Sequence, residues 1–224
     1  MMTIKLFVSA MAKFLLGVAL VGILVFLPAG TMHFWNGWLL MGILFVPMFL
    51  AGVVMMCKNP HLLKNRLEAK ETRKTQDIVV KLSGLMFILE FVLAGLGFRF
   101  GWYSLPSWAV WVAAGAFLLA YVLYAEVMRE NTYLSRTIKV EEGQTVVDTG
   151  MYAVVRHPMY SVTLLLFLMI PLVLGSWYSL IAFAFYPAII IVRLKDEEEL
   201  LTRELKGYAE YKEKVKYRLI PFIW

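Results

Sequence analysis

Asp148-Thr149-Gly150-Met151-Tyr152-Ala153-Val154-Val155-Arg156-His157-Pro158-Met159-Tyr160 is a polar, turn-rich run set directly against a long apolar segment, and the fold is read outward from that junction. Gly150 permits a positive φ. Pro158 fixes its own φ and suits the first turn of a helix. Arg156 and His157 therefore fall where a loop becomes a helix, beside backbone N–H groups without intrahelical partners, a setting that suits an anionic ligand group. The same pair equally suits lipid headgroups at a membrane surface. These residues alone do not choose between the two.

The surrounding chain is built of apolar blocks, at 8–29, 36–57, 78–98, 107–128, 159–175 and 178–193. The first four reach the ~20 residues that cross a bilayer. The last two are shorter and are joined by Gly175-Ser176-Trp177, which reads as a tight helical hairpin; Pro171 and Pro187 can kink it where neighbouring helices satisfy the freed carbonyls. Of the 224 residues 61% are hydrophobic and 17% charged, and the mean hydropathy is +0.71. A soluble domain of this size carries more charge, so the composition specifies an all-α integral membrane protein of about six hydrophobic helices. The first block runs on to full span length without a small-residue cleavage site and reads as a retained helix.

Several functions are excluded by composition. The one cysteine, Cys57, rules out an intramolecular disulfide and a Cys-based zinc cluster. His33, His61 and His157 are not spaced as metal ligands, so no metal is expected. The net charge of +6 comes from residues flanking the spans and forms no contiguous face for nucleic acid.

Charge also orients the chain. Lys5 and Lys13, the connection at 58–81, the connection at 129–157 and the tail from Arg193 lie on one side; of the 22 Lys and Arg residues only Arg99 falls on the other. With six crossings, this distribution places both termini in the cytoplasm of a multi-pass protein. Trp35, Trp38, Trp102, Tyr103, Trp108 and Trp177 gather at the outer ends as interfacial anchors. Polar chemistry is thereby confined to 58–77, 129–158 and 194–224.

Within those stretches, 58–77 alternates in sign and reads as a short surface helix, a solvated linker touching anionic lipid. Residues 137–147 alternate weakly around Gly143 and suggest a short extended hairpin. Leu201, Leu205, Tyr208 and Val215 recur near helical spacing between charges, as in an interfacial amphipathic helix. Arg193 and Glu197, four apart, share a helix face, although Glu197 to Glu199 taken alone reads as a solvated acidic run. Residues 219–224 form an apolar plug able to lie back on the bundle. Glu90, deep in an apolar run, is either a functional carboxyl or a neutral acid bonded to a neighbouring helix.

Two separated signals resemble one family. Gly150-Met151-Tyr152 followed by Arg156-His157-Pro158-Met159-Tyr160 is similar to the Gly-x-Tyr…Arg-His-Pro-x-Tyr signature of the isoprenylcysteine carboxyl methyltransferase family and its phospholipid methyltransferase relatives. Arg193…Glu197-Glu198…Leu201…Gly207-Tyr208…Tyr211…Ile220-Pro221 resembles that family's C-terminal signature, and Glu130-Asn131 falls where the family often places an Asn. The likeness covers about 126–224 and divides the chain into 1–106, N-terminal spans with a basic loop, and 107–224, a methyltransferase core. One position departs: the family usually has Gly two residues after the motif Tyr, where this sequence has Val162.

The resemblance implies methyl transfer from S-adenosylmethionine to a lipophilic acceptor entering from the lipid bilayer, either an isoprenylcysteine-type (prenylated) carboxylate or a lipid amine. The cofactor would be held by cytoplasmic loops and tail and not by a Rossmann unit, whose strand–Gly-x-Gly–helix pattern the sequence lacks. It assigns Gly150, Tyr152, Arg156, His157, Pro158, Tyr160, Glu198, Tyr208 and Tyr211 to the cofactor, and Arg193 and Glu197 to catalysis. Chemically, Arg156 and His157 suit the donor's carboxylate, Glu197 or Glu198 its ammonium or ribose hydroxyls, and Arg193 an anionic acceptor. An NADPH-dependent sterol-type reductase and a non-catalytic membrane scaffold are the competing readings.

Overall fold

A computed structural model describes residues 4–68, 73–102 and 104–224; Lys70 and Tyr103, counted above, lie outside the described residues. In chain order the helices are α1 (Ile4–Ala29), α2 (Trp35–Lys58), α3 (Pro60–Leu67), α4 (Lys74–Arg99), α5 (Ser107–Glu130), α6 (Pro158–Val173), α7 (Trp177–Phe183), α8 (Tyr186–Glu204) and α9 (Tyr208–Lys214). A short 3-10 turn at Gly150–Ala153 precedes α6.

Five helical stretches are long and apolar enough to cross a bilayer: α1, α2, α4, α5, and the 28 residues from Trp177 to Glu204 that α7 and α8 make together. At 16 residues α6 is shorter, roughly 24 Å at the usual rise. The second arm of the expected hairpin is thus divided. Pro187 has no N–H to offer the carbonyl of Phe183, so α7 stops there and α8 restarts after Phe185 with Pro187 in its first turn.

The helices form one bundle. α5 lies along α6, α1 along α4, and α4 also packs against α7 and α8, so the portions before and after residue 106 share a core. Phe117, Leu40, Phe91, Val162, Leu166 and Ile170 fill its centre. At the α1–α4 crossing Gly95 is required by space: a Cβ there would stand 2.6 Å from the Val25 carbonyl oxygen. Ser104 and Ser176 bridge at one end of the bundle. At the other end the loop 131–157 and the tail beyond 204 make a polar cap.

Four expectations are corrected in the cap. Residues 137–147 form no paired strands among the described residues; their apolar side chains Val140 and Val146 instead pack on the tail. The tail does not lie as an interfacial amphipathic helix, because α8 ends at Glu204 and Leu205, Tyr208, Tyr211 and Val215 turn inward to form a small core with Val140, Val146 and Leu201. α3 is more than a solvated linker. Asn59 caps it, accepting from the Leu62 N–H at 3.0 Å; it buries Leu62, Leu63 and Asn65, and Asn65 bonds the loop at Glu141 and Lys139. The plug is divided: Leu219 packs with Ile190 and Leu194, whereas Phe222 and Ile223 are exposed.

Glu90 is fully buried in α4. Ser179 Oγ donates to its backbone carbonyl at 2.8 Å, but among the described residues nothing bonds its carboxyl oxygens. The structure therefore does not hold the neighbour-bonded acid of the second reading.

Candidate active site

Gly150 adopts φ +55°, and a Cβ there would meet the Glu130 carboxylate at 3.0–3.3 Å. Glu130 in turn accepts from the Thr149 hydroxyl. This turn aims Tyr152 inward, where its hydroxyl accepts from Asn131 Nδ2 at 3.0 Å and its carbonyl accepts from the Tyr211 hydroxyl at 2.7 Å. Pro158 then opens α6. Just before it the chain is gripped by the tail: Arg156 N–H donates to the Tyr217 carbonyl and His157 N–H to the Arg218 carbonyl, both at 2.9 Å.

Two polar clusters result. The first is a buried brace centred on Glu198. Its Oε1 accepts from Arg156 Nε at 2.6 Å and faces His157 Nε2 at 3.3 Å, and its Oε2 accepts from Arg218 Nε at 2.8 Å. Arg156 also donates to the Val215 and Lys216 carbonyls at 2.7 and 3.0 Å. The Tyr208 hydroxyl lies 3.4 Å from His157 Nε2. Glu198 stands past the apolar part of α8; burial opposes its charge, but the bonds from His157, Arg156 and Arg218 outweigh that and hold its carboxyl well below the usual range.

The second cluster is half-buried where α6 and α8 meet the cap. The Tyr160 hydroxyl donates to Glu197 and accepts from Arg193 Nε at 3.0 Å. Arg193 also donates to Gln76 Oε1 at 2.9 Å and to the Arg136 carbonyl at 2.6 Å. Gln76, itself fully buried, donates to Asp196, which Arg73 Nε holds at 3.1 Å. α4 thus supplies the floor under Arg193.

Burial pushes the phenols of Tyr152, Tyr208 and Tyr211 well above their ordinary range. They stay neutral at working pH and are not available as bases.

The fold brings Arg156, His157, Glu198 and Tyr208 into the first cluster and Tyr160, Arg193 and Glu197 into the second, while Gly150, Tyr152 and Tyr211 meet at the turn before α6. It adds five that the motifs did not name as site residues: Asn131, Arg73, Gln76, Asp196 and Arg218. Asn131 alone carried a signal, through its place after Glu130. Val162, the departure from the family pattern, is buried in the central core.

Residues 108–209 match the family model for phospholipid methyltransferases. That stretch runs from the start of α5 into α9 and contains both clusters except for α4's contribution, Tyr211 and Arg218. Over that stretch, a little under half of the chain, the protein is similar to the phospholipid methyltransferases. A curated relative, the uncharacterized protein YpbQ of Bacillus subtilis (strain 168), is 29% identical over 96 residues, which is 42% of this chain and 57% of YpbQ. The match therefore spans little more than half of that relative. Within the matched stretch, Arg193 and Glu197 stand one helical turn apart and are joined through Tyr160, so the centre of the half-buried cluster falls inside the match.

Proposed function

We propose that the protein is a membrane methyltransferase that takes a methyl group from S-adenosylmethionine and passes it to a lipophilic acceptor with an anionic head. The observation that carries this reading is the Tyr160–Glu197–Arg193 cluster. It joins a carboxylate, a phenol and a guanidinium at the boundary between apolar spans and polar cap, inside the segment that matches the family.

The donor set fits the cofactor. Glu197 suits the ammonium or ribose hydroxyls, and tyrosines 152, 160 and 208 offer aromatic faces to a cation. In the brace, two guanidinium groups meet one carboxylate, so the excess positive charge favours the cofactor's carboxylate end. In this reading Arg156, His157 and Glu198 act through that field and by locking the tail, since their polar atoms already bond one another. When bound, S-adenosylmethionine supplies a methyl group activated by a sulfonium.

The chain's own part is positioning and exclusion of water. Arg193, where α8 leaves its apolar stretch, exchanges the Arg136 carbonyl for the acceptor's carboxylate and aligns it for in-line attack. A carboxylate needs no general base, and the raised tyrosines offer none. The cap formed by 131–157 and the tail keeps bulk water from the nucleophile. The basic flanks support a cytoplasmic side for this cap.

The test supplies methyl-labelled S-adenosylmethionine to membranes with and without the protein and extracts labelled lipid. On purified protein, Glu197→Gln weakens cofactor binding by about tenfold or more, the scale of a lost charged hydrogen bond. Arg193→Gln keeps binding but loses transfer. Unlabelled lipid, together with calorimetric binding of NADPH and not of S-adenosylmethionine, would overturn the proposal in favour of a reductase.

A further inference from the structure

A groove of about 470 Å³ lies on α8 and the tail, lined by Lys195, Glu198, Glu199, Thr202, Arg203, Lys212 and Arg218. At ~100° per residue, Lys195, Glu199 and Thr202 project from the side of α8 roughly opposite Arg193 and Glu197. The groove is therefore separate from the Tyr160 cluster.

Its charge is positive, with four cations against two carboxylates. Glu198 is already committed to Arg156, His157 and Arg218, and Arg203 pairs with Glu204 at 2.8 Å. Lys212 donates to the Thr202 hydroxyl at 3.2 Å, and among the described residues no carboxylate pairs with it or with Lys195. Lys195 follows by two residues the point where the apolar stretch of α8 ends, which puts the near wall of the groove at headgroup level.

The rim carries the second observation. Arg218 lies over the Trp224 ring at 5.1 Å, and Trp224 closes a turn in which Leu219 and Ile220 donate to its carbonyl at 2.9 and 3.0 Å while Ile223 and Trp224 donate back to Ile220 at 3.1 Å. Phe222 holds φ +65° in that turn, a conformation that a bulky residue adopts only when its surroundings impose it. Phe222 is 87% and Ile223 76% exposed. The turn is fixed to the bundle: Leu219 packs on Leu194 and Ile190, and Ser161 Oγ in the first turn of α6 donates to its carbonyl at 2.6 Å. An ordered apolar finger thus projects at the level where the spans meet the cap, beside unpaired lysines.

We propose that this groove and finger form a docking site for an anionic phospholipid of the adjoining leaflet. Its phosphate is held by Lys195, Lys212 and Arg218, and its acyl chains run past Phe222 and Ile223. Because Arg218 also bonds Glu198, an occupied groove tightens the tail against the His157 turn. The lipid here is a bound partner and not the methyl acceptor, and the proposal stands whether or not methyl transfer is the activity.

The test purifies the full chain from vesicles of phosphatidylcholine mixed with phosphatidylglycerol and weighs retained lipid by native mass spectrometry. The wild type is expected to keep phosphatidylglycerol ~10-fold over phosphatidylcholine, and Lys195→Gln with Lys212→Gln to fall to parity, as expected for two lysines at an anionic surface. Excess inorganic phosphate should not displace the lipid. A nitroxide at Phe222→Cys in a Cys57→Ser background, in the same vesicles, should be open to oxygen and closed to aqueous nickel. Equal retention by wild type and variant, displacement by phosphate, or nickel access at 222 would each overturn the proposal. An unchanged unfolding midpoint for the lysine variant shows that retention was lost from a folded protein.

Discussion

Glu198 is the carboxylate on which the loop before α6 and the tail converge, through Arg156, His157 and Arg218. Replacing it by Gln keeps the shape and removes the charge, leaving a buried guanidinium without its counter-ion. The expected loss is about 3 kcal/mol, read as a lower unfolding midpoint and faster proteolysis of the tail. The pH dependence follows from the depressed carboxyl. Its stabilising contribution is fully present above the unfolded carboxylate's ordinary value of 4.5 and is lost as pH falls through the lower folded value. Tail protection in the wild type should therefore persist from neutrality to about that value and fail only in stronger acid, while Glu198→Gln shows no such acid transition. Glu198, Arg156 and His157 were legible because they stand in recognisable spacings. Arg218 was not, since a single Arg in a basic tail looks like any solvated cation until the tail is laid beside residues 156 and 157.

Among the elements, α3 shows how a cap residue governs a distant loop. Asn59 accepts from the Leu62 N–H, and Pro60 starts the helix, so α3 is defined from its first turn. Asn65 on that helix donates to Glu141 Oε1 at 2.7 Å, accepts from Lys139 Nζ at 3.2 Å, and offers its carbonyl to Arg136 N–H at 3.3 Å. Arg136 in turn presents its own carbonyl to Arg193. Asn59→Ala should cost about 1 kcal/mol of local stability and speed amide exchange roughly fivefold, over 60–67 and over 136–141 together, while Asn59→Asp retains protection. Exchange that rises in α3 alone would show that the loop stands without it. The spans were legible because apolar length is a direct signal. The 137–147 segment was not, because weak alternation suits both a hairpin and a loop whose valines are buried by a tail some sixty residues away. The interruption before Pro187 was half-legible: proline announces a disturbance, but only packing decides between a kink and a stop.

Across the whole molecule the two ends of the bundle carry different loads. The polar clusters sit at one end, where α4 contributes Gln76 and the residue before the helix, Arg73, joins in. Gly95 lies nineteen residues further along α4, ~28 Å away at the helical rise, where α1 presses against it. In the most apolar stretches of α1 and α2 only 11% of the residues are buried, against 33% in α4 and in the α7–α8 stretch. The first two helices therefore lie at the periphery, and α4 with α7 and α8 lies nearer the core. Gly95→Val drives two methyl groups into the α1 backbone at Val25, a clash that only displacement of α1 relieves. The expected cost is about 1–3 kcal/mol, seen as a lower midpoint of thermal unfolding in detergent. Because α4 keeps its own contacts with α7 and α8, Gln76 stays under Arg193, and the proposed S-adenosylmethionine affinity, measured by calorimetry below that midpoint, should change less than about twofold, as for sites too far apart to share partners. Affinity that collapses while the protein is still folded would mean that the α1–α4 seam positions the cap end, and that the bundle is a single mechanical unit from one end to the other.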